Sequence, residues 1–393
     1  MESLWAEDTF ILNKIDELVD FKLDDEFKEN LIFLNEVKFK NYEHFSPGLS
    51  FFQHLYLWLK DFKPEDRMKA LKVLDCVIFF TREEMKILSH QIFREKIRKY
   101  LLNKIIEEND EYGSLEYDKA FKYLKDYLNQ SLFIALSDGA MIDDFRRFNI
   151  EDNDQTISYY KLHTDAQFEI AFKNFEERKK TYRFFFLLED FVGTGTTFLR
   201  DKNNIEFWLS EKNIDTIQNT NEIKINEKLK KPELRGQLIK FISYWNHLLD
   251  FNKDYQIIYC PYIITYFSKC RLESMLKYYG NLNYIINYDK IHILPQLVIP
   301  NELRVIEECS NSELRNIKRE DAKGFKNLCD DYYERIEPTL KPPYKLGDGI
   351  KYGFGNRGLS IVRYNNVPNN TVYLIWYPDN WRPLFPRVER HKK

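Results

Sequence analysis

Residues 184–197 constrain this chain more than any other stretch. Phe184-Phe185-Phe186-Leu187-Leu188 is an uninterrupted apolar run, Glu189-Asp190 come directly after it, and Phe191-Val192-Gly193-Thr194-Gly195-Thr196-Thr197 complete the segment. A strand with no polar position is buried on both faces, as in a parallel sheet covered by helices. Such a strand delivers the residues after it to the sheet's C-terminal end, where open α/β sheets bind ligands. Small residues let backbone amides approach phosphate oxygens, threonine hydroxyls add donors, and the next helix presents its N-terminus. The acids then face a hydroxylated group or a metal. The alternative reading is a tight structural turn in a Rossmann-like sheet.

From Glu7 to Lys125 apolar residues recur at helical spacing, as in Phe51, Leu55, Leu57, Trp58 and Leu59 or Ile87, Ile92, Phe93 and Ile97. This predicts a helical N-terminal region, residues 1–125, with a turn at Ser46-Pro47-Gly48 and a capped helix start at Thr81. Asn109-Asp110-Glu111-Tyr112-Gly113-Ser114 reads as a boundary loop. Beyond it, short apolar runs end in polar clusters and lead into helical stretches, which predicts an α/β domain over 126–393 with a mostly parallel sheet. Its strand candidates are Leu132–Leu136, Phe184–Leu188, Gln256–Cys260 and Ile291–Leu294. Residues Glu211–Gln237 read as a surface excursion or a frayed helix, the expected mobile insertion. A charged stretch from Asn301 to about Leu340 reads as helical until Pro342-Pro343. The end of the chain holds glycines at 347, 349, 353, 355 and 358, then two strand-like runs flanking Asn365-Asn366-Val367-Pro368-Asn369-Asn370.

Charge and cysteine usage narrow the function classes. With 59 Lys and Arg against 62 Asp and Glu the net charge is -3, so direct nucleic-acid binding through a global basic field is not indicated. The five cysteines are scattered and never form a CxxC pair, which argues against a disulfide framework and a zinc site and for a reducing cytoplasm. The start, Met1 to Asp8, lacks the basic leader and apolar run of a signal peptide. The most apolar stretch, Tyr255–Ser268, contains Pro261 and is shorter than the ~18 apolar residues a membrane-spanning helix needs.

Two familiar phosphate loops do not describe residues 189–198. A Walker A loop needs Lys after its last glycine, where Thr196-Thr197 stand, and a dinucleotide GxGxxG needs glycine where Phe198 stands, with its acid some 20 residues later. The segment instead resembles the phosphoribosyl diphosphate (PRPP) motif of type I phosphoribosyltransferases: an apolar strand, two acids, then small residues ending in Thr-Gly-Thr-Thr. The resemblance implies that Glu189 and Asp190 are the catalytic acids on the ribose 2′ and 3′ hydroxyls. It implies too that Gly193, Thr194, Gly195, Thr196 and Thr197 cradle the 5′-phosphate. Phe191-Val192 are bulkier than the residues common there, a departure that bears on ribose geometry.

The family's pyrophosphate loop comes after the first sheet strand, and here Leu132–Leu136 leads into Ser137-Asp138-Gly139-Ala140 and then a stretch carrying Arg146 and Arg147. The resemblance makes Ser137, Asp138 and Gly139 substrate-binding, with Arg146 or Arg147 offering a fork matched to phosphate oxygens. Pairing of both arginines with Asp143, Asp144 or other acids is the alternative. The C-terminal blocks, Gly353 to Ser360, Asn365 to Thr371 and Trp381-Arg382-Pro383-Leu384-Phe385-Pro386-Arg387, are similar to the ending of the PRTase-CE family. These are phosphoribosyltransferase-like proteins associated with bacterial conflict and antiviral defence. Asn369 is a further ligand candidate, although Pro368-Asn369-Asn370 is also a turn by composition. His292 reads as a hydrogen-bonded core residue and Cys260 as buried packing.

The resemblance thus implies a phosphoribosyltransferase-like effector of an antiphage system that binds PRPP or a related nucleotide with Mg²⁺ and acts at the ribose anomeric carbon. Other proteins of a defence operon are the expected partners. A catalytically inactive sensor of such a ligand, or a partner-docking module, is the alternative, and no acceptor-side base is identifiable.

Overall fold

Six strands, which carry no Asp, Glu, Lys or Arg other than Glu189 and Asp190, form the central sheet. The computed structural model describes residues 2–20, 23–108, 117–150, 155–159, 182–219, 229–245, 255–285, 287–305, 319–341, 344 and 349–388. The strands are β1 (Ser131–Ala135), β2 (Thr156–Ser158), β3 (Phe184–Val192), β4 (Gln256–Thr265), β5 (Ile291–Ile293) and β6 (Leu297–Ile299). All pair in parallel in the order β2-β1-β3-β4-β5, with β6 also on β4. The order reverses between β1 and β3, which makes their C-terminal ends the topological switch point of a doubly wound sheet.

One face packs Leu132, Ile134, Phe185, Leu187, Ile257 and Tyr259 against Trp208, Phe241, Leu272 and Met275. On the other, Phe133 and Phe186 stack with ring centres 5.2 Å apart, and Phe93 and Phe145 meet Phe133 from their helices. Each such buried ring or branched chain contributes about 1.5–3 kcal/mol.

Contacts divide the chain into two compact units, residues 83–299 around this sheet and residues 1–82 with 300–393. The cut differs from the division into 1–125 and 126–393 expected from composition; the boundary loop at 109–114 lies outside the described residues. In the second unit Ile78–Phe80 pairs in parallel with Ile361–Arg363, a strand inside the region expected to be helical. Phe385 sits among Phe39, Tyr42, Phe45, Phe51 and Phe79. The Trp58 indole donates to the Leu374 carbonyl at 2.7 Å. The Pro-Leu-Phe-Pro block is therefore a core element. The apolar run before it is not a strand: Tyr373–Trp376 is a short helix, fully buried, with the Trp376 indole on the Thr371 carbonyl. An apolar run this short carries no period that separates helix from strand.

Three further elements differ from expectation. β3 runs through both acids to Val192, and β4 runs through Pro261 to Thr265. Glu211–Asn219, in the stretch expected as a surface excursion or a frayed helix, is a helix, and its Ile214 and Ile217 join the core. The turn Ser46-Pro47-Gly48 closes through Leu49 N–H on the Ser46 carbonyl, as expected. Arg82–Gln91 starts its helix where the threonine predicts. No described helix is long and apolar enough to cross a membrane.

Candidate functional site

The loop after β1 and the end of β3 meet at the switch point. A Cβ built on Gly139 would lie 1.6 Å from Oδ2 of Asp190, so only glycine lets the Ser137–Ala140 backbone approach that carboxylate. The loop is held from below by Tyr262 of β4, whose hydroxyl donates to the Ala140 carbonyl at 2.5 Å. Burial, and then the charge of Asp190, pushes that hydroxyl well above its ordinary range, so it remains a donor. Met141 closes the loop in the left-handed conformation (φ 48°) before helix Ile142–Asn149 begins, a strained geometry that surrounding structure must enforce.

Because β3 continues through the acids, they point to opposite faces of the sheet. Glu189 is in register with Pro261 and so shares the face of Tyr259, whose hydroxyl is pushed up by burial and then by Glu189. Asp190 shares the face of Tyr262 and meets Gly139. On the Glu189 side the chain folds back and lays Phe198 flat on Tyr259, ring centres 3.7 Å apart. Both carboxylates are buried, and Asp190 Oδ1 accepts from the Phe191 N–H at 2.7 Å.

The loop Gly193–Thr197 has a marked polarity. Thr265 Oγ1 and Ser268 Oγ donate to the Gly193 carbonyl at 2.8 and 2.6 Å. Arg271 donates to Thr194 at 3.1 Å, Phe198 and Leu199 N–H to Gly195, Arg200 to Thr196 at 3.5 Å, and Gln237 N–H to Thr197 at 2.9 Å. Every carbonyl of the loop is thus engaged, whereas the N–H groups of Thr194, Gly195, Thr196 and Thr197 donate to no described residue. Successive free amides in a turn make an anion-binding concavity. The Thr194 and Thr196 hydroxyls sit 3.0 Å apart beside them. Gly195, at φ +72°, packs where a Cβ would meet Leu272 at 2.9 Å.

Of the residues expected to serve the ligand, Ser137, Asp138, Gly139, Glu189, Asp190 and Gly193 to Thr197 gather at this end of the sheet. Arg146 instead faces Asp143 of its own helix at 3.6 Å, and Arg147 is exposed. Asn369 belongs to the other unit, where its carbonyl accepts from Phe354 N–H at 2.8 Å and Asn370 Nδ2 reaches the Phe354 carbonyl at 2.9 Å. Cys260 is buried and its thiol pushed up by burial, and His292 bonds Gln256 at 2.6 Å, so both serve packing.

Three site-building residues carried no sequence signal. Arg271, fully buried, spans the carbonyls of Trp208, Thr194 and Leu199 at 2.9–3.2 Å. Tyr262 and Gln237 tie the loop after β1 to other elements. Each comes from a segment remote in sequence and has no motif around it.

Among the described residues no three His, Cys, Asp or Glu side chains cluster to hold a metal ion. Mg²⁺ needs no such cluster, since one or two carboxylates and substrate phosphates commonly suffice, and Glu189 and Asp190 are oxygen donors of that kind. The chain matches no curated protein and no solved structure at a significant level. The PRTase-CE family model matches residues 56–387, most of the chain and parts of both units, and the chain belongs to the PRTase-CE family, with a phosphoribosyltransferase-like α/β fold.

Proposed function

We propose that residues 83–299 bind a phosphorylated ribose, PRPP or a related nucleotide, and act at its anomeric carbon as an effector of bacterial antiphage defence. The polarity of the Gly193–Thr197 loop carries the reading, since four amides without an acceptor among the described residues suit the 5′-phosphate. The loop after β1 brings Ser137, Asp138 and Gly139 to the pyrophosphate end of the site. There the Gly139 N–H donates to Asp138 Oδ1 at 2.8 Å, and the Asp138 carboxylate is an oxygen ligand for Mg²⁺ rather than a partner for phosphate. Asp190, on the face that meets the loop after β1, takes a sugar hydroxyl, while Glu189 lies on the opposite face beside the glycine and threonine loop. A carboxylate held against a ribose hydroxyl gains strength as positive charge develops on the ring. Mg²⁺, when bound, supplies charge neutralisation to pyrophosphate oxygens.

A second reading, ligand sensing without chemistry, is favoured by the arginines. Arg146 lies 3.6 Å from Asp143 of its own helix, the pairing the sequence allowed as its alternative, and Arg147 is exposed. Calorimetric titration of PRPP with Mg²⁺ into the wild-type protein and Asp190→Asn, with folding monitored by circular dichroism, tests the site. Binding lost only in the variant is expected. Equal binding in both refutes the assignment of Asp190, and no binding to the wild type refutes the ligand class.

A further inference from the structure

Gln237 opens a helix, Gln237–Trp245, that docks onto both ligand loops. Its backbone N–H donates to the Thr197 carbonyl at 2.9 Å, at the end of the glycine and threonine loop. Its side-chain Nε2 donates to the Leu136 carbonyl at 3.1 Å, at the start of the loop after β1. The other side-chain atom, Oε1, is buried and has no hydrogen-bond partner among the described residues, and the same is true of Oγ of Ser137, the residue next to Leu136. Buried polar atoms are nearly always paired, and each exception calls for an explanation. Turning the amide over does not supply one, because Oε1 would then face the Leu136 carbonyl, acceptor against acceptor.

We propose that Gln237 is a ligand contact of this site, its Oε1 accepting a hydrogen bond from a hydroxyl or amino group of the bound molecule. The inference rests on the sugar-phosphate reading above and adds a requirement to it. An amide oxygen has no proton to give and an ionised phosphate oxygen has none either, so Gln237 does not hold phosphate. It selects a neutral donor, which a sugar hydroxyl or the exocyclic amine of a nucleobase supplies. Leaving a buried acceptor unpaired costs the complex its desolvation, so a molecule lacking that donor binds less tightly.

The test is calorimetric titration of PRPP, AMP and inorganic pyrophosphate, each with Mg²⁺, into the wild type, Asp190→Asn and Gln237→Met. Methionine keeps the length of the side chain and removes Oε1 together with Nε2, and the loss of the Nε2 bond to the Leu136 carbonyl falls on every probe alike. The expected result is a loss of about 5- to 100-fold in affinity for a donor-bearing probe, from the usual range for a buried hydrogen bond, with pyrophosphate changed less than about twofold. Weakening of PRPP and AMP alike identifies a sugar hydroxyl as the donor, and weakening of AMP alone identifies the base amine. Unchanged affinity for all three probes in a Gln237→Met protein, when Asp190→Asn has lost PRPP, overturns this proposal and leaves the ligand class standing. Equal weakening of all three, pyrophosphate included, also overturns it, because a purely structural role moves every probe together. Failure of the wild type to bind PRPP or AMP removes the ligand class and this proposal with it. Should Gln237→Met not fold, Gln237→Asn, which withdraws the oxygen by one methylene and keeps an amide, is read in the same way.

Discussion

Gly139→Ala tests the assembly of the switch point without removing any polar group. The added methyl would lie 1.6 Å from Oδ2, 2.5 Å from Cγ and 3.2 Å from Cβ of Asp190. Gly139 is not among the glycines at positive φ, so the backbone accepts alanine and the whole effect is the collision. Forcing a methyl into a packed site costs about 1–3 kcal/mol. In a unit of this size that lowers the melting temperature by roughly 2–12 °C, at roughly 2–4 °C per kcal/mol. Asp190→Ala removes Cγ and both oxygens and leaves only the 3.2 Å contact, which a shift of a few tenths of an ångström relieves. In that background Gly139→Ala should cost under about 0.5 kcal/mol, the limit within which independent sites add. The measurement is urea unfolding of the wild type, both single variants and the double variant. A coupling of about 1–3 kcal/mol is expected from the relieved collision. Additivity within about 0.5 kcal/mol would falsify the contact between the two loops, and with it the common site.

Arg271→Met leaves the carbonyls of Trp208, Thr194 and Leu199 buried without their donors and should destabilise by roughly 3–5 kcal/mol in urea unfolding, with lysine no substitute for the fork; a loss under about 1 kcal/mol would show that the loop does not depend on it. Asp330 is held down to about 2, against burial, by hydrogen bonds from Lys326, Lys351 and Tyr352. Its folded-state pKa lies below the ordinary 3.8, so its contribution is complete above pH 3.8 and is lost as pH falls toward 2. Asp330→Asn should flatten acid unfolding in that window, and an unchanged acid limb would contradict the pairing. Cys76, Cys260, Cys270 and Cys329 are buried, so in a Cys309→Ser protein iodoacetamide at neutral pH should label none of them before unfolding. Prompt labelling of Cys260, whose thiol burial holds up, would show that β4 opens in the native state.

What could be read from sequence was what neighbouring residues settle among themselves. Phe184–Leu188 has no polar position and could only be an inner strand. Glycine and threonine after two acids told of a tight turn at the strand's end, and the four apolar runs after residue 130 are all strands. The strand Ile78–Phe80 was hidden because its partner, Ile361–Arg363, lies at the other end of the chain, and a three-residue run has no period of its own. Thr156–Ser158 and Leu297–Ile299 are equally short, and each is a strand only because a longer neighbour supplies its hydrogen bonds. Ile214 and Ile217 were lost in a polar stretch although their 3-residue spacing puts them on one helix face.

The division of labour between the acids was beyond any local motif. Two adjacent carboxylates in a loop can converge on one ligand group, whereas two in a strand must diverge, and which holds depends on where the strand stops. β3 stops at Val192 because β4 offers it partners as far as Ile264, and β4 can do so because Pro261 falls in register with Glu189 without ending the ladder. The acids therefore serve different loops: Asp190 meets the turn at Gly139, and Glu189 lies on the side where Phe198 brings the glycine and threonine loop back over Tyr259. Both loops in turn are set by buried donors from distant segments, Tyr262 on Ala140, Arg271 on Thr194 and Gln237 on Thr197 and Leu136. These donors consume carbonyls and leave amides, so the binding character of the loops is imposed by residues outside them. A sequence with the same fourteen residues at 184–197 but without Arg271 and Gln237 would keep the motif and lose the polarity that makes it a site.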